Sequence, residues 1–301
     1  MSFSKPAKTY EEQLAILEGR GLTVENRSFA LHCLAHHNYY RISAYRFPLT
    51  EPGKPDRFLP GTTFGNMWGL YCFDRQLRTL VMEALKRLEI SVRSHWAYIL
   101  GHEYGAQAYE IPSVFRNAQR HTSALNRLDD ELARSHEVFV SHFKNKHNTH
   151  RPPIWAVCEI MTFGLLSRFY ENIGHEHDRK KIAGIYGISP DLMKSLLEHG
   201  VYIRNLCAHH ARLWNRRFTI TVAIPKRHPS TIANSVNPLS RRNVYNTLVF
   251  LAHIVDIVEP QNQWTHRLMA LLREQQLPVT EKMGFPEDWL DRPIWARCIR
   301  K

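Results

Sequence analysis

Residues 64–100 read FGNMWGLYCFDRQLRTLVMEALKRLEISVRSHWAYIL, and their periodicity decides the fold class. Leu77, Leu80, Val81, Ala84, Leu85, Leu88, Val92, Trp96 and Ile99 recur at steps of three and four, which puts them on one face of a helix. The spacing predicts a single long helix that Gly101 ends. Three acid-base pairs at i,i+4, Asp74/Arg78, Glu83/Arg87 and Glu89/Arg93, suit its outer face.

Towards the N-terminus, residues 10–20 form a short amphipathic segment around Leu14, Ile16 and Leu17 that Gly21 ends, and 28–37 reads as a second helix. Asn38, Tyr39, Tyr40 and Arg41 lead into a turn. Residues 51–63, EPGKPDRFLPGTT, hold three prolines and two glycines, so the chain there is extended or turning and marks a boundary before the main body. Towards the C-terminus, 117–146 reads as one long helix. Pro152-Pro153 opens a more apolar one over 154–170, and a shorter helix follows near 178–186. From 189 to about 215 the chain reads as one helix or two nearly continuous ones, with a kink at Gly200. Residues 218–224, FTITVAI, are the only strand-like stretch, and one short strand does not make a sheet. Helices over 241–258 and 263–273 follow, then a tail that packs through Phe285, Trp289 and Trp295. The class is all-α, a helical bundle extended at both ends.

The 301 residues, 44% hydrophobic and 23% charged, have a globular composition and enough length for a large core without disulfides or metals. The cysteines, at 33, 72, 158, 207 and 298, lie too far apart for a CxxC zinc site or a disulfide framework, which points to a reducing cytoplasm. The N-terminal MSFSKPAKTYEEQ lacks the apolar core of a signal sequence. The most apolar stretch, 247–258, is interrupted by His253 and Asp256, so no membrane segment is expected. The formal charge, 40 − 28 = +12, favours an anionic partner, nucleic acid before an acidic membrane surface.

The densest chemical text is RNLCAHHARLWNRR at 204–217. On a helix Asn205, His209 and Arg212 share one stripe at i, i+4 and i+7, with Arg204 one step aside. An amide, an imidazole and guanidinium groups on one face could hold a phosphodiester while protons move to and from its oxygens. His210 points away from Asn205 and either assists with the arginines in RNA binding or packs as support, the second being the plainer reading. Arg212, Arg216 and Arg217, with Trp214 interleaved, could track an RNA backbone; the plainer reading makes Trp214 a core residue and the last two arginines a helix end.

Other candidates are weaker. His175-Glu176-His177-Asp178 resembles a metal-binding run but reads as a solvated charged loop. His136, His142, His147 and His150, with Lys144 and Lys146, line no common helical face and read as a flexible basic surface. Tyr39, Tyr40 and Arg41 either stack on unpaired bases or anchor the N-terminal extension. No GxxxxGK[ST] or GxSxG motif occurs, and neither metal nor cofactor is expected.

The 204–217 motif stands with NYYRIS (38–43), FDRQLR (73–78), PPIW (152–155), TFGLLS (162–167) and MGFP (283–286). In that order these segments resemble the AbiD/AbiF-type abortive-infection family, a branch of the HEPN superfamily of helical ribonucleases marked by Arg, four to six residues, then His. The resemblance spans nearly the whole chain. It implies an N-terminal helical extension over 1–60, a HEPN-like core over 61–275 and a packing tail over 276–301. It further implies a metal-independent endoribonuclease of an abortive-infection or toxin-antitoxin system, whose two protomers bring their motifs together. Arg204 and His209 would then be the catalytic pair and Asn205 the polar residue that follows the Arg, with the RNA 2′-OH attacking its own phosphorus. The implied partners are RNA, a second copy, and an RNA or protein antitoxin. The competing readings are a non-catalytic basic dimer that holds RNA or protein and, more weakly, nucleotidyl transfer, for which the chain has no domain.

Overall fold

An apolar stripe of such length has to be buried throughout, and the helix that carries it runs over Phe64–Tyr104, 41 residues. The computed structural model describes residues 6–147, 151–275 and 277–299. Among the described residues the secondary structure is helical, with no strand, and the all-α class holds. The chain divides into two compact units, Met1–Leu77 with Gln275–Leu277 and Arg78–Glu274 with Pro278–Lys301.

In the first unit the helix Tyr10–Gly19 starts with a capping box, Thr9 accepting from the Glu12 amide while Glu12 accepts from Thr9. Asn26 caps Arg27–His36 by accepting from Phe29 N at 3.0 Å. The NYYRIS segment, expected as a turn, forms a short helix, Tyr39–Ser43, because Asn38 accepts from Tyr40 N at 2.9 Å. Leu14, Leu17, Ala30, Cys33, Leu34, Ile42, Tyr45 and Phe58 are buried, together with Met67 and Phe73 of the long helix. Asp74, expected on the outer face, is fully buried and accepts the Tyr45 hydroxyl at 2.6 Å. A carboxylate can occupy such a place only because a donor meets it there.

In the second unit Glu83 pairs with Arg87 at 2.8 Å and Glu89 with Arg93. Gly101 does not end the long helix. It lets Ile154 approach, whose Cγ2 would lie 3.1 Å from a Cβ at that position, and the stop falls at Gly105, with φ +86°. The stretch expected as one helix over 117–146 is two, Ala118–Arg134 and Val138–His147. That over 154–170 is also two, Ile154–Ile160 and Phe163–Asn172. The second break is held from both sides. Arg93 donates to the Met161 carbonyl at 2.6 Å, and Glu131 accepts the Thr162 amide at 2.8 Å and hydroxyl at 3.0 Å. Thr162 itself caps the next helix by accepting from Leu165 N at 3.3 Å.

The helices Glu176–Ile185, Pro190–Ala208, Val244–Val258 and Trp264–Arg273 complete the packing around Leu85, Leu88, Val92 and Trp96. Trp264 Nε1 donates to the Leu80 carbonyl at 2.7 Å. The tail packs as its aromatics suggest: Phe285 lies 4.6 Å from the Tyr245 ring, and buried Trp295 donates to the Tyr245 hydroxyl at 3.2 Å. No helix among the described residues is long and apolar enough to cross a membrane.

The Pro190–Ala208 helix runs unbroken through Gly200, where it packs closely on its neighbours. A Cβ there would stand 3.2 and 3.3 Å from Phe163 Cε1 and Cζ and 3.5 Å from Leu85 Cδ2. Gly200→Val overfills this crossing and should lower unfolding stability by about 1–3 kcal/mol. The loss is read as a fall in the urea midpoint at unchanged slope; an unchanged midpoint would show that the crossing is not tight.

Candidate functional site

The helix that carries the 204–217 motif begins with Ser189 accepting from Leu192 N at 3.2 Å, Pro190 in its first turn and Asp191 beside it. It buries Leu192, Met193, Leu196, Leu197, Gly200, Ile203 and Cys207. A second stripe, Ser195, His199 and Tyr202, explains why FTITVAI forms no strand. The backbone of that segment is met by side chains of the helix. Ser195 Oγ accepts from Ala223 N at 2.8 Å, His199 Nδ1 lies 2.9 Å from the Ile220 carbonyl, and Tyr202 Oη accepts from Thr219 N at 3.4 Å. With its polar groups satisfied sideways, the segment needs no strand partner. The contact to a carbonyl makes His199 Nδ1 the donor, so that Nε2 accepts from the Thr247 hydroxyl at 2.8 Å. Burial pushes the His199 imidazole down to about 4.

The third face carries the motif. The helix ends at Ala208, not near residue 215, and His209 is its cap at φ −86°, ψ 12°. His210 then adopts the left-handed region at φ +54°. Its amide donates to Cys207 O at 3.0 Å and that of Ala211 to Leu206 O at 2.8 Å, while His209 N donates to Asn205 O at 3.0 Å. The first two bonds are those of a Schellman ending, with a histidine where glycine usually sits. The expected stripe is thereby cut. Asn205 on the last turn and His209 at the cap stay together through their backbone hydrogen bond, Arg204 points about 100° around the helix from Asn205, and Arg212 lies on the non-helical chain beyond.

Asn205, His209 and His210 are exposed and Arg204 is half-buried. The side chains of Arg204, Asn205 and His209 form no hydrogen bond or ion pair among the described residues. Trp214 is 2% exposed and donates Nε1–H to Val279 O at 3.0 Å, so it is a core residue and offers no face to a base. Of the three arginines expected on an RNA backbone, Arg217 is exposed and Arg212 is half-buried with partners in the protein. Arg216 is half-buried and lies near Tyr202, where its charge favours the phenolate. Burial pushes the Tyr202 phenol up, but the donors from Thr219 and Arg216 outweigh it and hold the group below the ordinary range.

Tyr202 was not singled out in the sequence, although it stands about two turns before His209 on the helix that carries the motif. A broader signal was also there to be read. Between Glu198 and Asp256 the chain has no Asp or Glu but eight Lys and Arg, at 204, 212, 216, 217, 226, 227, 241 and 242.

Elsewhere, the run 175–178 is no loop. It opens the helix Glu176–Ile185, and Asp178 is buried, accepting the Tyr104 hydroxyl at 2.6 Å. His136 and His142 are exposed; the helix Val138–His147 carries the backbone of Lys144, Lys146 and His147, and His150 lies outside the described residues. Among the described residues no cluster of three or more His, Cys, Asp or Glu is arranged to hold a metal ion.

Fold and site together define an all-α protein with an Arg-Asn-x-x-x-His motif at the end of a largely buried helix, its Asn and His exposed, in a stretch of sequence without Asp or Glu. The family model described as Abi-like protein matches residues 32–215, more than half of the chain, and the chain belongs to that family. No curated protein and no solved structure matches it.

The histidine that pins the helix to the 218–224 segment gives the stability a pH dependence. Unfolded, His199 takes a proton near pH 6.5, whereas in the fold it resists until about pH 4. Within that window the unfolded state binds more protons, so stability falls as the pH falls, by about 3 kcal/mol in all. His253, pushed down mainly by burial, adds to the slope. Urea unfolding between pH 7 and 4 should show the loss, and His199→Gln should remove most of it; an unaltered slope in that variant would refute the assignment.

Proposed function

We propose that the chain is a metal-independent endoribonuclease of AbiD/AbiF type within the HEPN superfamily, acting in the cytoplasm in abortive infection or as a toxin with an RNA or protein antitoxin. Membership of the Abi-like family suggests the abortive-infection role. The observation that carries the catalytic reading is the end of the helix, where Asn205 and His209 are exposed and the side chains of Arg204, Asn205 and His209 have no partner among the described residues. Side chains held to stabilise a fold are normally met by other groups of that fold.

The chemistry follows from the groups available. The 2′-oxygen of a ribose attacks the adjacent phosphorus as an imidazole removes its proton; the P–O5′ bond breaks, and O5′ takes a proton from a second imidazole. The products are a 2′,3′-cyclic phosphate and a 5′-hydroxyl. The nucleophile belongs to the substrate, so no water has to be activated. Arg204 balances charge on the non-bridging oxygens, and Asn205 positions the phosphate. One motif offers only His209 for two proton transfers, and a two-fold arrangement of two copies doubles it. Arg212 and Arg217 bind the flanking backbone. Arg216, through Tyr202, braces the chain that carries them. His210 supports the turn.

Purified protein incubated with total cellular RNA in EDTA should leave cyclic phosphate ends. His209→Ala should slow cleavage by about 100-fold or more, and Arg204→Ala should also impair it. A 2′-deoxy sugar at the cut should block it. Loss of activity on chelation that one divalent metal restores, or equal cutting of DNA, would overturn the reading. Tight RNA binding without any cleavage by the wild type would select the non-catalytic dimer.

A further inference from the structure

The N-terminal unit holds a cleft of about 860 Å3 between its first two helices and the start of the short helix Tyr39–Ser43, a size typical of small-ligand sites. Its floor is apolar, from Ile16 and Leu34. Three features of its walls are independent of one another.

The first is outward aromatic surface. Tyr40 is 78% exposed and Tyr10 47%. Tyr40 is braced edge-on by Tyr39, with ring centroids 5.7 Å apart at 86°, and the Tyr39 hydroxyl accepts from Arg20 at 3.1 Å. The second is positive charge. Arg20 and Arg46 line the cleft and share one carboxylate, Asp56, at 2.8 and 3.4 Å. Lys8 stands at the rim, and no carboxylate lines the cleft among the described residues. Arg46 is further fixed by the Pro55 carbonyl at 3.2 Å and by the Phe47 ring, 4.9 Å away. The third is an unmet acceptor. Gln13 donates through Nε2 to Lys8 O at 2.9 Å, and its Oε1 is buried with no partner among the described residues.

We propose that this cleft binds a nucleotide unit, an aromatic base joined to phosphate, either free or as an unpaired residue of an RNA strand. The base stacks on Tyr40, and an exocyclic amino group meets Gln13. The phosphate takes the place of the Asp56 carboxylate, which is 66% exposed and free to swing away, between the two guanidinium groups. An acidic peptide would satisfy the arginines and leave the tyrosines idle; an apolar ligand would do the reverse. The site is built from the N-terminal unit alone. It stands whether or not His209 cleaves RNA, and so goes beyond the ribonuclease reading.

The test uses the full chain and a short fluorescent 2′-O-methyl oligonucleotide, which cannot undergo attack by its own 2′-OH. Tyr40→Ala and Lys8→Glu should each weaken binding about tenfold, and Asp56→Asn should tighten it. All three side chains are exposed, so circular dichroism should not change. Competition by a mononucleotide identifies a free nucleotide as the ligand; binding that responds to these substitutions but resists mononucleotide identifies a strand. Wild-type affinity in Tyr40→Ala, inorganic phosphate competing as well as the nucleotide, an acidic peptide binding equally tightly, or no binding at all would each overturn the proposal. Loss of cleavage in His209→Ala tests the ribonuclease reading and loss of binding in Tyr40→Ala tests this one, so the two ideas fail separately.

Discussion

The missing side chain at Gly200 sets how closely the Pro190–Ala208 helix approaches Phe163 and Leu85, and the site depends on that distance. Once the helix is seated there, its angular position is fixed, and its other faces follow from 100° per residue. Ile203 and Cys207 go inward. Ser195, His199 and Tyr202 come to the edge where the 218–224 segment lies and hold it by three hydrogen bonds. Arg204, Asn205 and Ala208 remain towards solvent. A small rotation would exchange these roles, placing a guanidinium in the core and a buried imidazole outside. The packing contact and the polar edge are therefore two consequences of one geometry.

The ending of that helix is the second constraint. A left-handed histidine at position 210 costs free energy that a glycine would not. What it gains is a chain direction: Ala211 turns back on Leu206, after which Leu213 and Trp214 enter the core. Arg242 closes the loop, receiving the Phe218 amide at 2.7 Å on its carbonyl and donating Nε–H to Phe218 O at 2.8 Å. The cap residue His209 is thus held on a short turn anchored on both sides and is not left on a fraying end. Rigid support of this kind is what a group needs if it must meet a substrate atom at a set distance.

Sequence reading reached the parts of this arrangement that depend on local pattern. The long helix and the aromatic tail are both written in residue type and spacing. Features set by distant side chains were not legible. The break at Met161 depends on Arg93 and Glu131, and the irregular course of FTITVAI depends on a helix some twenty residues earlier. The stop at Ala208 was hidden because the apolar spacing continues through Leu213, which is buried from a non-helical chain. Periodicity reports which residues are buried, not whether one helix buries them. At the site, the placing of Asn205 and His209 on one side was legible because they stand one turn apart at i,i+4; the addition of Arg212 failed because it needed a helix that had already ended.

Charge gives the site its remaining character. Even if each of the 28 Asp and Glu paired with one of the 40 Lys and Arg, twelve cations would be left over, and the pairing is uneven. Glu83 alone serves Arg87 and Arg267, at 2.8 and 2.9 Å, while Arg151 takes both Glu110 and Asp129 at 2.7 Å. Carboxylates are thus concentrated where they brace helices, and the stretch between Glu198 and Asp256 has none to neutralise its eight cations. Arg204, Arg216 and Arg217 form no ion pair among the described residues. Cations close together without counter-charge repel one another and destabilise the fold that holds them, and an arriving polyanion relieves that repulsion while shedding its own counterions. The sequence therefore leaves positive charge without neighbouring carboxylates on the part of the chain where His209 is exposed.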